Sequence, residues 1–181
     1  MKYNYIYFLF IQLIGLVAWL LLILSYYRKN TNKILVFQIL GTLLYCLHYF
    51  LLGAYSGLFI CLFEVARDYS YYKTDKDKLI FAGCIPIYII GGIYSFHSLI
   101  DLLPIFASIT DGYSLTNNKK IVIIGAFISY TLWVIYDIAV LSISGAITDG
   151  LIALSNLSIL IFGDRKILRK NRIFTKILDW I

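Results

Sequence analysis

Positive charge falls in alternate joints of this chain and almost nowhere else, and that constrains the fold more than any motif does. Long apolar runs are separated by short polar joints. The first, third and fifth joints carry Arg28, Lys29 and Lys33, then Lys73, Lys76 and Lys78, then Lys119 and Lys120. The segment after the last run carries Arg165, Lys166, Arg169, Lys170, Arg172 and Lys176. These are 14 of the 16 basic residues, and the other joints carry none. Only Lys2 and Arg67 lie elsewhere, the latter inside an apolar run. Lys and Arg are retained on the cytoplasmic side of a membrane. An odd number of crossings puts every basic joint on that side, and losing one crossing would scatter them. The pattern predicts seven crossings, with the N-terminus outside and the C-terminus inside.

Composition agrees. The chain is 61% hydrophobic and 14% charged, with a mean hydropathy of +0.82. A soluble domain is about half apolar and about a quarter charged. The bilayer is therefore the expected solvent, and continuous apolar runs with two prolines point to helices rather than a β-barrel. The expected class is an all-α integral membrane protein. The runs predict helices over about Ile6–Tyr27, Ile34–Leu52, Leu58–Tyr72, Leu79–Phe96, Leu102–Leu115, Ile121–Leu141 and Gly145–Phe162, the third and fifth being short. The first run is too long for a signal-peptide core, lacks an A-x-A site, and reads as a retained helix. After Asp164, Ile173, Phe174, Ile177, Leu178, Trp180 and Ile181 share one helical face opposite Arg172, Lys176 and Asp179. This reads as a basic amphipathic tail lying on the inner leaflet.

Part of the chain comes round again. Leu44–Gly57, LYCLHYFLLGAYSG, returns 88 residues later as Leu132–Gly145, LWVIYDIAVLSISG. At that offset Tyr45 matches Trp133, Ser56 matches Ser144 and Gly57 matches Gly145. Helices 2–3 then match helices 6–7, and two three-helix units follow. Helix 4, with Pro86 and Gly91-Gly92, inserts one crossing and makes the units parallel. The expected organisation is a first bundle over 1–76, a linker helix over 77–98, a second bundle over 99–163 and the tail over 164–181.

Charges inside a span cost about 2.5–3.5 kcal/mol at mid-helix, so they face the bundle interior or a wet cavity. Helix 3 carries Glu64, Arg67 and Asp68, which form either a polar site or a structural ion pair. At the repeat offset Asp68 matches Asn156, and the two are expected to face each other near the axis as a substrate-contact pair. Helix 6 puts Trp133 and Asp137 on one face, and helix 2 offers Tyr45 and His48. Tyr45 and Trp133 read as opposing aromatic walls for a solute, or as bundle packing. His48 reads as a titrating group or as a helix–helix hydrogen bonder. Asp111 and Asp149 read as wetted residues near span ends, and His97 and Asp101 as a solvated outer rim. Cys46, Cys61 and Cys84 lack metal or redox spacing and read as buried small hydrophobes. No phosphate loop, metal-ligand spacing or nucleophile elbow is present. The expectation is no enzyme, no cofactor, no metal and no nucleic-acid partner, the net charge of +6 being confined to the joints and tail.

The string His48-Tyr-Phe-Leu-Leu-Gly-Ala-Tyr55, with Arg67, Asp101-Leu-Leu-Pro104, Ser144-Gly145, Asp149-Gly150 and Asn156, resembles the YgjV-like bacterial inner-membrane proteins over roughly Gln12 to Lys166. That family is grouped with the MtN3-like (PQ-loop) proteins, beside SWEET sugar transporters and the PnuC nicotinamide riboside transporter. The resemblance implies a 3+1+3 fold, a central site for an unknown small solute, alternating access and often a homotrimer. It implies gating near Gln12 and Pro104, although Gln12 has no proline before it and Pro104 precedes Ile105. It also implies sugar-site asparagines in helices 3 and 7; Asn156 fits one place, and Asp68 stands in the other. The function expected is transport of a sugar, nucleoside or vitamin-like solute. The other reading is a membrane sensor or accessory subunit whose polar core is structural.

Overall fold

The computed structural model describes residues 5–26, 31–74 and 77–162, so the basic tail lies outside the described residues. Seven α-helices follow one another among the described residues: α1 Tyr5–Tyr26, α2 Thr31–Leu52, α3 Tyr55–Lys73, α4 Asp77–Ser95, α5 Leu102–Leu115, α6 Lys119–Val140 and α7 Ile143–Phe162. A single 3-10 turn, Leu99–Asp101, precedes α5, and no strand occurs among the described residues. Helix positions match the apolar runs. The starts of α2 and α3 lie earlier than expected, at Thr31 and Tyr55, because short polar and small residues continue the helix beyond the apolar stretch.

Among the described residues four stretches are long and apolar enough to cross a membrane: Tyr5–Leu24, Lys78–Ser95, Lys120–Val140 and Ile143–Phe162. Val36–Leu52 is apolar and shorter. Helix α3 falls short because its second half carries Glu64, Arg67 and Asp68, and α5 because it is 14 residues long. Each still exposes apolar side chains, Phe59 and Leu62 on α3 and Phe106 on α5, while turning polar ones such as Arg67 and Ser108 inward.

Each helix packs on its neighbours in sequence, and α1 also packs on α7 and α3 on α5. The bundle is apolar outside and polar within. Ile6, Leu79, Ile93, Leu99 and Ile138 are exposed, whereas His48, Ser56, Arg67, Ser108, Asp137 and Ser142 are buried. That inversion suits a hydrocarbon surround, which rewards apolar surface and leaves polar groups to find partners inside. Helix α4 runs unbroken through Pro86, and Gly91 and Gly92 let it lie close to Phe63 of α3 and Ile105 of α5.

Two tight joints sit at the same end of the bundle. Gly53 ends α2 with φ 71°, and Leu141 ends α6 with φ 63°. The Gly53 amide donates to the Phe50 carbonyl at 3.0 Å and the Ala54 amide to that of Tyr49 at 2.9 Å. The Ser142 amide donates to the Asp137 carbonyl at 2.8 Å. These bonds satisfy the last helix carbonyls, as left-handed helix ends do. Glycine adopts that conformation freely, and leucine at roughly 1–2 kcal/mol. Leu141 stays because its carbonyl is aimed at Gln12 of α1, whose amide donates to it at 2.8 Å.

Leu141 is 58% exposed, so trimming its side chain loses little packing. Leu141→Gly is expected to raise thermal stability in detergent by up to about 1 kcal/mol, strain relief outweighing glycine entropy. Gly53→Ala is expected to lower it by about 1 kcal/mol. Thermal unfolding of the two variants checks both signs.

Candidate functional site

A cleft of about 310 Å³ lies inside the bundle. Six helices line it and α4 does not: Trp19 and Leu22 on α1, Gln38, Thr42, Tyr45 and Tyr49 on α2, Glu64 and Arg67 on α3, Asp111 on α5, Ser129, Tyr130 and Trp133 on α6, and Thr148 and Asp149 on α7. These positions run from the middle of the bundle toward the end that bears the basic joints. The opposite end, with Gly53 and Leu141, is closed.

Aromatic rings form the floor between cleft and closed end. Tyr49 stacks on Trp133 with ring centroids 5.8 Å apart and on Tyr45 at 6.3 Å. Tyr136 meets Trp133 edge-on at 5.7 Å. Tyr45 and Trp133 therefore do not face each other across a gap, since Tyr49 joins them. The Tyr45 hydroxyl donates to Thr148 Oγ1 at 3.2 Å and ties α2 to α7. The Tyr49 hydroxyl donates to Asp137 Oδ1 at 2.8 Å and ties α2 to α6.

Beneath the floor, hydrogen bonds latch the closed end. His48 Nδ1 donates to the Ile11 carbonyl at 2.8 Å, and its Nε2 meets Ser142 Oγ at 2.9 Å. A carbonyl only accepts, so the Nδ1 proton is fixed and a neutral ring accepts at Nε2. Gln12 Oε1 accepts from the Ser144 amide at 3.0 Å and so holds the start of α7 to α1. Ser56 Oγ donates to Asp101 Oδ1 at 2.7 Å and so holds the start of α3 to the turn before α5. The Tyr136 hydroxyl accepts from the Gly57 amide at 2.9 Å and meets Ser56 Oγ at 2.8 Å. A Cβ at Gly57 would stand 2.9 Å from the Tyr136 ring, so only glycine admits the approach.

Asp101 is more than a solvated rim residue. Its Oδ2 also accepts from the His97 amide at 3.0 Å, the Ser98 amide at 2.8 Å and Ser98 Oγ at 3.1 Å. Partial burial pushes its pKa up, and the bonds from Ser56, His97 and Ser98 outweigh that and hold it below the usual carboxylate value.

On the open side α3 and α5 are tied by charge. Arg67 Nη2 and Asp111 Oδ2 are 2.8 Å apart, with Arg67 buried and Asp111 partly exposed to the cleft. Arg67 Nη1 also donates to the Ser108 carbonyl at 3.3 Å and to the Tyr88 hydroxyl at 3.4 Å. Ser108 Oγ donates to Glu64. The cleft wall thus carries the acids Glu64, Asp111 and Asp149 against the base Arg67.

The residues picked from sequence divide into groups. Glu64, Arg67, Tyr45 and Trp133 are brought together on the cleft wall. His48 and Asp137 are buried behind the floor. Asn156 is half-buried one turn beyond the cleft-lining Ile152 and donates to the Ile152 carbonyl of its own helix at 2.9 Å. Asp68 lies on α3, and its side chain is outside the described residues. Gln12 sits in the closed-end latch, and Pro104 is buried in the first turn of α5. Sequence reasoning passed over Tyr49 and Thr148, and read Asp111 as a wetted residue near a span end without pairing it to Arg67. The signal for Tyr49 was present: it matches Asp137 at the same 88-residue offset that paired Tyr45 with Trp133, and those matched residues bond to each other. An acid inside helix 5 was likewise the natural counter-charge for Arg67.

An all-helical bundle with a lipid-suited exterior and a polar, charged interior defines a multi-pass membrane protein. The sequence pattern of a family of bacterial inner membrane proteins, Imp-YgjV, matches residues 9–165, and the chain belongs to that family. No curated protein matches the chain, and no solved structure does.

Removing one member of a buried ion pair strands the other. Asp111→Asn is expected to lower stability by about 3 kcal/mol. Adding Arg67→Met to it should recover part of that loss, because the stranded charge goes too. A double-mutant cycle by thermal unfolding checks this; equal losses in the single and double variants would contradict it.

Proposed function

We propose that this chain is a small-solute permease of the inner membrane, passing a sugar, nucleoside or vitamin-like molecule through the central cleft by alternating access. The observation that carries the reading is the cleft itself. It is polar and charged on one wall, aromatic at its floor, accessible toward one end and latched at the other. A core built only for stability would place its polar groups against one another with no space between them.

Two parallel three-helix units around α4, related to the SWEET and PnuC plan, would rock about that site. Several features support such units. Helices α2 and α6 begin and end 88 residues apart, and α3 and α7 begin 88 residues apart. Gly53 and Leu141, with their positive φ, match at that offset. The contacts of α1 with α7 and of α5 with α3 exchange under it, as do the serines that latch them, Ser144 and Ser56. In this reading all seven helices cross, the N-terminus is outside and the basic joints and tail are inside. The closed end then faces outward, and the conformation is inward-facing. A homotrimer and facilitative or ion-coupled transport belong to the same proposal, which assigns no enzymatic chemistry and no cofactor.

One observation favours a second reading. Arg67, Asp111, Glu64 and Ser108 satisfy one another across α3 and α5, as the structural core of a sensor or accessory subunit would.

Uptake of radiolabelled sugars, nucleosides and vitamins into proteoliposomes decides between them. The permease reading expects at least one solute to enter faster than in protein-free liposomes, and Thr42→Trp, which fills the cleft, to abolish the excess. If no solute moves, the second reading stands.

A further inference from the structure

The floor of the cleft hides an unbalanced donor count. Asp137 is fully buried, and its Oδ2 has no hydrogen-bond partner. Its Oδ1 is taken by Tyr49. The Ser142 hydroxyl stands near Oδ2 and has one proton to give. That proton is spent on His48 Nε2, because His48 Nδ1 is committed to the Ile11 carbonyl. The other neighbour is the Asp149 carboxyl, which lies against Asp137 and also reaches the cleft wall. Gly145 makes this crowding possible, since a Cβ there would fall on Asp137 Oδ2 and Ser142 Oγ.

Two ionised carboxylates side by side repel each other and leave the buried Asp137 Oδ2 unsatisfied. The groups facing the pair do not relieve this. They are Tyr45 and Tyr49, with His48 behind Ser142, on α2, and Cys61 and Glu64 on α3. Neither carboxyl forms an ion pair among the described residues. One proton on the pair corrects both faults, turning an acceptor–acceptor contact into a hydrogen bond.

We propose that Asp137 and Asp149 form a proton-binding site, with one proton held between Asp137 Oδ2 and the Asp149 carboxyl and exchanged with water in the cleft through Asp149. The site couples protonation to the latch. Asp137 also holds Tyr49 in the floor and accepts, at its carbonyl, from the Ser142 amide in the turn beside the Gln12 contact. Loss of the proton puts two like charges side by side at the joint of α6 and α7 and loosens that end. As a coupling site this rests on the permease reading; as a proton site it does not.

Infrared spectroscopy of the protein in phosphatidylethanolamine–phosphatidylglycerol liposomes near neutral pH tests it without a solute. A protonated-carboxyl C=O band is expected, shifting in deuterated water. Asp137→Asn and Asp149→Asn should each abolish it, because the asparagine amide supplies the missing donor. Glu64→Gln should leave it in place. Either aspartate variant suffices if the other does not fold. Absence of the band, or its persistence in the variants, overturns the proposal; a proton on His48 instead would give that result, freeing the Ser142 hydroxyl for Oδ2. If a solute is taken up, an inward proton gradient should accelerate uptake in the native protein and not in Asp149→Asn. Uptake indifferent to the gradient, with the band present, removes the coupling role and leaves the site. A band without uptake of any solute removes the permease reading alone.

Discussion

Inside a bilayer a polar side chain has no water to turn to, and the interior of this bundle is arranged around that constraint. Each helix brings polar groups inward, and most of the buried ones find partners on a different helix. His48 reaches α1 and the joint after α6, Tyr49 reaches α6, Tyr136 reaches α3, and Arg67 reaches α5 and α4. These bonds fix how the helices sit, because lipid-facing leucines and isoleucines are indifferent to rotation or sliding. Burial of apolar area drives a soluble fold; here it discriminates little between one packed helix and another. Polar pairing and close approach at glycine do the specifying.

The two ends of the bundle use the constraint differently. At the closed end, neutral and singly charged groups interlock over short distances, and the strained Leu141 is tolerated because its carbonyl is one of the fasteners. At the open end, space remains between the helices and charged groups line it. Glu64 and Asp111 are partly exposed at the cleft, and the buried Arg67 is held by its ion pair with Asp111, so each charge there has water or a partner. The floor between them is aromatic, with Tyr49 at its centre touching rings on α2 and α6 and the Asp137 carboxyl below.

Much of the fold was legible in the sequence for a simple reason. Apolar runs of helix length bounded by basic joints have few folded solutions, so the seven helices fell close to their expected places. Membrane class was readable from the same pattern. The site was legible only in part. Arg67 and Glu64 stood out because a charge in an apolar run demands an explanation. Tyr45 and Trp133 stood out through the repeat. What hydropathy and periodicity cannot show is which helices touch out of sequence. The α3–α5 contact that pairs Arg67 with Asp111, and the contact of α1 with α7 that engages Gln12, are both of that kind. Of its two readings His48 takes the helix–helix hydrogen bonder, and with Asp137 it lies behind the floor rather than on the cleft wall.

In the proposed permease the cleft is reached from the cytoplasmic side and sealed from the other. Cysteine accessibility tests that most directly. In a chain with Cys46, Cys61 and Cys84 replaced by alanine, Thr42→Cys places a thiol on the cleft wall and Ser98→Cys places one beyond the closed end. A membrane-impermeant thiol reagent should label Thr42→Cys in inside-out vesicles and not in right-side-out ones, and Ser98→Cys with the opposite preference. Labelling of Thr42→Cys from the outer face alone, or of both positions from the same face, would contradict it.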